Sequence, residues 1–119
     1  MLIYLAGAYS HPDVDVVERR WIAHCAAAGK LMAANQTVFS PIAHSHPIAM
    51  HAELDHLDGE FWLRQDFAIL NFADVLVVLT EEDYRTSKGT MAEIFVAGEL
   101  GMPVVFWDGV DAQELLSRI

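Results

Sequence analysis

The sequence predicts a doubly wound α/β fold, a parallel sheet of four or five strands with helices on both faces, built by residues 1–119 as one domain. Two observations lead there. Strand-like runs alternate with helix-like stretches along the whole chain, and each run is nearly all apolar, the pattern of strands buried on both faces. A chain of 119 residues is also too short to build two independent cores.

The elements follow in order. Leu2 to Ala6 reads as a first buried strand, stopped by Gly7. Pro12 suits the first turn of a helix, and Asp13, Asp15 and Glu18 suit the positive end of its dipole. That helix is expected to run to about Ala34, with Trp21, Cys25, Ala28 and Met32 at helical spacing and Cys25 as a buried thiol. Thr37 to Ser40 reads as a second strand, ended by Pro41. From Ile42 to Gly59 the chain reads as an irregular loop holding His44, His46, His51 and His56. A loop of that length in a small domain is more often functional than idle. Glu60 to Phe72 is a second long helix, and Val75 to Leu79 is the clearest buried strand. A polar loop from Thr80 to Gly89 leads into a third helix, Thr90 to Leu100, closed by Gly101. Pro103 to Phe106 is the last strand, and a short helix starts at Asp111.

Open sheets of this kind bind ligands at the carboxyl ends of their strands, where the strand order reverses. The segments expected at those ends are Gly7 to Ser10, Ser40 to His46, Thr80 to Gly89 and Trp107 to Gly109. The site is expected among them.

Composition narrows the ligand. With 54% hydrophobic and 20% charged residues, the chain is of ordinary globular make-up. A net charge of -10 with 7 Lys and Arg argues against polymeric nucleic acid, which needs a cluster of cations to neutralise phosphates. One small phosphate can still be held by backbone N–H groups and a hydroxyl. No apolar run reaches the roughly 18 residues of a membrane span, so none is expected. The N-terminus lacks a basic segment, so no signal peptide is expected either. Cys25 is the sole cysteine and has no internal partner, which suits a reducing, cytoplasmic compartment.

Several residues stand out chemically. Asp66 shares a helix face with Trp62, Ile69, Leu70 and Ala73, so its carboxylate is either bonded to a neighbour or has a raised pKa and works as an acid or base. Glu93 has two readings. Thr90 and Glu93 fit a capping box, in which the Glu side chain returns to the cap residue's N–H. The same helix start also faces the crevice, where a carboxylate can act on a ligand. Ser87, Lys88 and Gly89 suggest an anion site there, although they form no Walker motif. Gly7-Ala8-Tyr9-Ser10 is a second candidate turn and lacks the dinucleotide fingerprint, so no nicotinamide or flavin cofactor is expected. His44 and His46 have no Cys partner for a metal; they are expected to line or cover a polar substrate, with no metal bound. Asp74 falls at the far edge of the sheet and reads as structural.

Tyr4-Leu5-Ala6-Gly7, Gln65-Asp66, Ala73-Asp74-Val75, Gly89 with Glu93, and Gly101-Met102-Pro103-Val104-Val105 together resemble the nucleoside 2-deoxyribosyltransferase superfamily, with a flavodoxin-like or Rossmann-like sheet. Their order and spacing carry the resemblance, which spans most of the chain. Ala8 to Asp13 and Ser40 to Pro47 look closest to a small bacterial and phage branch. The resemblance implies cleavage or transfer at the N-glycosidic bond of a nucleoside or nucleotide. It implies Glu93 as nucleophile, Asp66 as the acid that aids departure of the base, and Tyr4 as the holder of the catalytic carboxylate. Ser87, six residues before Glu93, matches the serine of deoxynucleoside 5′-monophosphate hydrolases, where transferases on free nucleosides have Asp. Those hydrolases carry Ser and Arg where this chain has Ala8 and Ser10, so the phosphate site is half matched. Gly7, Ala8, Ser10, His44, His46, Ser87 and Gly89 are the expected substrate contacts. A homodimer or larger assembly is implied as well, and a non-catalytic nucleotide-sensing module is the competing reading.

Overall fold

A computed structural model describes residues 1–119. Its four strands are β1 (Leu2–Ala6), β2 (Thr37–Phe39), β3 (Val75–Leu79) and β4 (Val104–Trp107). They form one parallel sheet in the order β2-β1-β3-β4. The chain steps outward from β1 to β2, then crosses back past β1 to β3. The order therefore reverses between β1 and β3, and a crevice opens at their carboxyl ends.

Alternation along the strands divides the core into two layers. Ile3 and Leu5 of β1, with Val75, Val77 and Leu79 of β3, meet α1 (Val14–Ala33) and α5 (Ala112–Ser117) through Ala27, Ala28, Leu31 and Leu115. Tyr4, Ala6, Leu76 and Val78 point the other way, toward α3 (Gly59–Leu70) and α4 (Lys88–Glu99), where Leu70, Ala97 and Ile94 cover them. All five residues of β3 are buried, as its unbroken apolar run requires.

Several boundaries differ from the sequence reading. Asp13 caps α1 by accepting from the Asp15 N–H at 2.9 Å, so Pro12 lies outside the helix. The buried face of α1 is Val17, His24, Ala27, Ala28 and Leu31, and Cys25 is exposed on its flank. Its expected burial is thus overturned: the helical phase that buries Leu31 and Ala28 turns residue 25 outward. The region expected as an irregular loop from Ile42 begins instead with a helix, α2 (Pro41–His51). Ser40 caps it, accepting from the Ala43 N–H at 3.2 Å, and Pro41 fits its first turn, which needs no N–H donor. Pro47 sits inside α2 and removes one hydrogen bond, which hid the helix from a pattern reading. Packing of His46 and Ala49 against the molecule compensates.

Helix ends obey local rules. Gly101 adopts φ +68° after α4, and the N–H groups of Gly101 and Met102 donate to the Gly98 and Ala97 carbonyls. Asn35 does the same after α1 at φ 63°, in place of glycine. Asp74 accepts from the Leu2 N–H at 2.6 Å and so anchors the start of β1, the structural role expected of it.

Candidate active site

A cavity of about 380 Å3 fills the crevice, large enough for a small organic ligand. Its walls come from the turn after β1 (Gly7, Tyr9, Ser10), from α2 (Ser45), from α3 (Asp66) and from α4 (Glu93). The strand order thus brings residues from opposite ends of the chain to one place.

Glu93 is the buried carboxyl of the set, 5% exposed. The Tyr4 hydroxyl donates to its Oε2. Tyr4 lies within β1, fully buried, and burial followed by the charges of Glu93 and Asp66 holds its phenol far above the ordinary range. It therefore stays a donor at all physiological pH. Burial pushes Glu93 itself up to about 8; the Tyr4 hydrogen bond works downward and the Asp66 charge upward. Asp66, half-buried on α3, is pushed up to about 7 by burial. Two carboxyls that share a cavity and feel each other's charge bind one proton between them near neutrality.

The capping box is not formed. Ser87, not Thr90, caps α4, accepting from the Thr90 N–H at 3.2 Å and from the Thr90 hydroxyl at 2.9 Å. Glu93 then falls in the second turn of α4 and is free to face Tyr4 and the cavity. Ser87, Lys88 and Gly89 line the cavity at the helix start. The N–H groups of Lys88 and Gly89, as the first two of the helix, have no carbonyl within it to bond. A small anion is favoured there.

The turn after β1 is built for close approach. A Cβ on Gly7 would lie 2.7 Å from His24 Cε1, so only glycine lets the turn rest on this buried ring. Burial lowers His24 to about 4, and it packs as a neutral ring. Arg20 reaches round from α1 and donates to the Ser10 carbonyl at 3.0 Å. It braces the turn from behind and does not line the cavity.

Three expected substrate contacts lie elsewhere. Ala8 is buried on the far side of the turn, against Arg20 and His24, because the turn after β1 breaks the strand's alternation, which would have aimed residue 8 with Tyr4 and Ala6 toward α3 and α4. His44 is exposed on α2, its ring 5.5 Å from Phe39. His46 is buried behind the wall, its Nδ1 2.7 Å from Tyr9 Oη and its Nε2 3.1 Å from Glu18. The helical turn of α2 sends Ser45, between them, into the cavity instead. Sequence reasoning named none of Tyr9, Ser45, His56 and Trp62 as an individual contact, although Tyr9 and Ser45 fall in the strand-end segments where the site is expected. Tyr9 had a usable sign, its place three residues past the end of β1; His56 had only its place in the long Ile42 to Gly59 segment. Among His, Cys, Asp and Glu side chains no group of three converges as a metal site.

The family described as Domain of unknown function (DUF1937) matches residues 1–109. The chain belongs to this family. No curated protein matches it. A solved structure of a 2-deoxyribosyltransferase from Bacillus psychrosaccharolyticus is similar at 22% identity, over 89% of this chain and 71% of that one, with a TM-score of 0.60. The likeness shows that this family member has the fold of that enzyme, as the order of its sequence blocks implied.

Proposed function

We propose that this chain is a nucleoside or nucleotide N-glycosidase or 2-deoxyribosyltransferase, acting through a glycosyl-Glu93 intermediate. The observation that carries the reading is the buried Glu93 held by the Tyr4 hydroxyl in one cavity with Asp66, on the fold of a 2-deoxyribosyltransferase. Glu93 as carboxylate attacks the anomeric carbon, and its bond to the base nitrogen breaks. Asp66 as the neutral acid gives its proton to that nitrogen. In the second step water attacks the same carbon, its proton returns to Asp66, and the bond to Glu93 breaks. A second base in place of water gives transfer.

The start of α4 supports a 5′-monophosphate as the preferred ligand. Ser87 keeps its own hydroxyl hydrogen free for donation while its lone pairs cap the helix, and the Lys88 and Gly89 amides stand beside it. The -10 net charge makes a small ligand a better fit than a polyanion. Phe72 and Phe95 are 81% and 68% exposed, which supports burial in a homodimer or larger assembly. No helix is long and apolar enough to cross a membrane.

One observation favours a binding module instead: at neutral pH a Glu93 raised to about 8 is mostly protonated in the free protein, and a protonated carboxyl is no nucleophile. Incubation with a panel of deoxynucleosides and their 5′-monophosphates decides between the two. The enzyme releases free base, Glu93→Ala abolishes release, and Asp74→Ala retains it. Saturable binding with no release from any member supports the sensing module and overturns the catalytic reading.

A further inference from the structure

Tyr9, His46 and Glu18 form a hydrogen-bonded chain that leads out of the cavity. Tyr9 lines the cavity, its Oη 2.7 Å from His46 Nδ1, and His46 Nε2 is 3.1 Å from Glu18 Oε2. His46 is 5% exposed, and the Trp21 ring, 4.7 Å away between centroids, holds its plane. A carboxylate offers only lone pairs, so the imidazole nitrogen that faces Glu18 carries the hydrogen. Nδ1 of the neutral ring is then a bare lone pair, and the Tyr9 hydroxyl must donate to it. The opposite tautomer would set the Nε2 lone pair against the Glu18 oxygens with no hydrogen between them. Burial, then the Glu18 charge, push Tyr9 up to about 12, so the phenol keeps its hydrogen through the neutral range. That hydrogen is committed to His46. What Tyr9 offers the cavity is lone pairs alone.

We propose that Tyr9 is a specificity-determining residue that reads a hydrogen-bond donor on the ligand, a sugar hydroxyl or an amino group of the base, because the Glu18–His46 pair holds its hydroxyl as an acceptor. His46 and Glu18 are positioning residues that act through Tyr9. The identity of the ligand rests on the nucleoside reading above; the state of Tyr9 does not. A phosphate or a carbonyl is repelled at Tyr9, whereas the start of α4 presents donors. The two regions of the wall therefore have opposite hydrogen-bonding sense, which orients a nucleotide in the cavity.

Two measurements test this. Nitrogen NMR of the histidine rings in the free protein, on the alkaline side of the ordinary imidazole titration, reads the tautomer without any ligand. The expected result is hydrogen on Nε2 and none on Nδ1 of His46, relaxing to a mixture in Glu18→Gln. Hydrogen on Nδ1 in the unaltered protein overturns the proposal. The second measurement is affinity in the Glu93→Gln background, which blocks turnover. The ligands are 2′-deoxyadenosine, its counterpart with hydrogen in place of the amino group, and its 3′-deoxy counterpart. Tyr9→Phe weakens 2′-deoxyadenosine roughly tenfold and leaves unchanged the analogue that lacks the donor Tyr9 reads, which identifies base or sugar as its source. Glu18→Gln shrinks the same preference. An equal loss for all three ligands means a structural role and overturns the assignment. If neither these three nor their 5′-monophosphates bind the unaltered protein, the nucleoside reading fails, and the tautomer measurement alone decides the state of Tyr9.

Discussion

At the scale of single residues, Asp66 and Glu93 are a coupled pair, raised by burial to about 7 and about 8. Catalysis as proposed needs Glu93 ionised and Asp66 protonated, the less populated arrangement of the single shared proton. Apparent values belong to the pair, so kcat/KM is expected to trace a bell with its limbs near 7 and 8. In Asp66→Asn the alkaline limb disappears, and the acid limb moves to lower pH because the Asp66 charge no longer lifts Glu93. The accompanying loss in kcat is about 10²- to 10⁴-fold, the usual contribution of a positioned acid. A profile that keeps both limbs assigns the acid to another group. Tyr4→Phe has the opposite sign on the acid limb. The lost hydrogen bond was lowering Glu93, so the limb shifts to higher pH, and a pH–rate profile of the variant that stays in place removes Tyr4 from the mechanism.

At the scale of elements, the start of α4 serves two purposes through one side chain. Ser87 caps the helix with its lone pairs and faces the cavity. Ser87→Ala is expected to cost about 1 kcal/mol of stability from the lost cap, read by thermal unfolding. It also raises KM for 5′-monophosphates while free deoxynucleosides change little. A parallel rise for both ligand classes shows that the effect is helix fraying alone. The same element explains why Glu93 does not close on its own helix. Capping at residue 87 rather than 90 moves residue 93 one turn inward, beyond reach of the terminus. The Tyr4 hydroxyl on β1, and not a backbone N–H, becomes its partner.

At the scale of the whole molecule, the buried ionisable groups make stability depend on pH. Glu93 and Asp66 start from ordinary values of 4.5 and 3.8 and are raised in the folded protein. Their contribution is fully present below those ordinary values and is lost as pH rises through about 7 and about 8. His24 is lowered from 6.5 to about 4, so its contribution is present above 6.5 and lost as pH falls through about 4. The three oppose one another in the acid range; between 6.5 and 8 the carboxyls act without opposition. Denaturant unfolding of the ligand-free protein is therefore expected to show stability falling across that window. Each proton bound by the folded state alone sets a limiting slope of about 1.4 kcal/mol per pH unit. Glu93→Gln flattens the fall. An unchanged slope in that variant means that Glu93 does not bind its proton in the folded state.

The sequence by itself determined the parallel sheet, its strands, the location of the crevice and the place of Asp66 on an apolar helix face. These follow from local facts. Apolar content and side-chain period decide which segments are buried on both faces, and alternation with helices decides that the strands run parallel. A carboxylate on an apolar helix face is visible in the letters of that helix. Only the tertiary structure decided what the side chains between those segments touch. The hydrogen bond from Tyr4 to Glu93 joins residues 89 apart, and that between Tyr9 and His46 joins residues 37 apart. No local pattern encodes such pairings. The helix at α2 was hidden for the same reason, since Pro47 breaks its pattern and packing restores it. Its phase turned His44 outward, His46 into the core and Ser45 into the cavity, a sorting that a loop reading has no means to make.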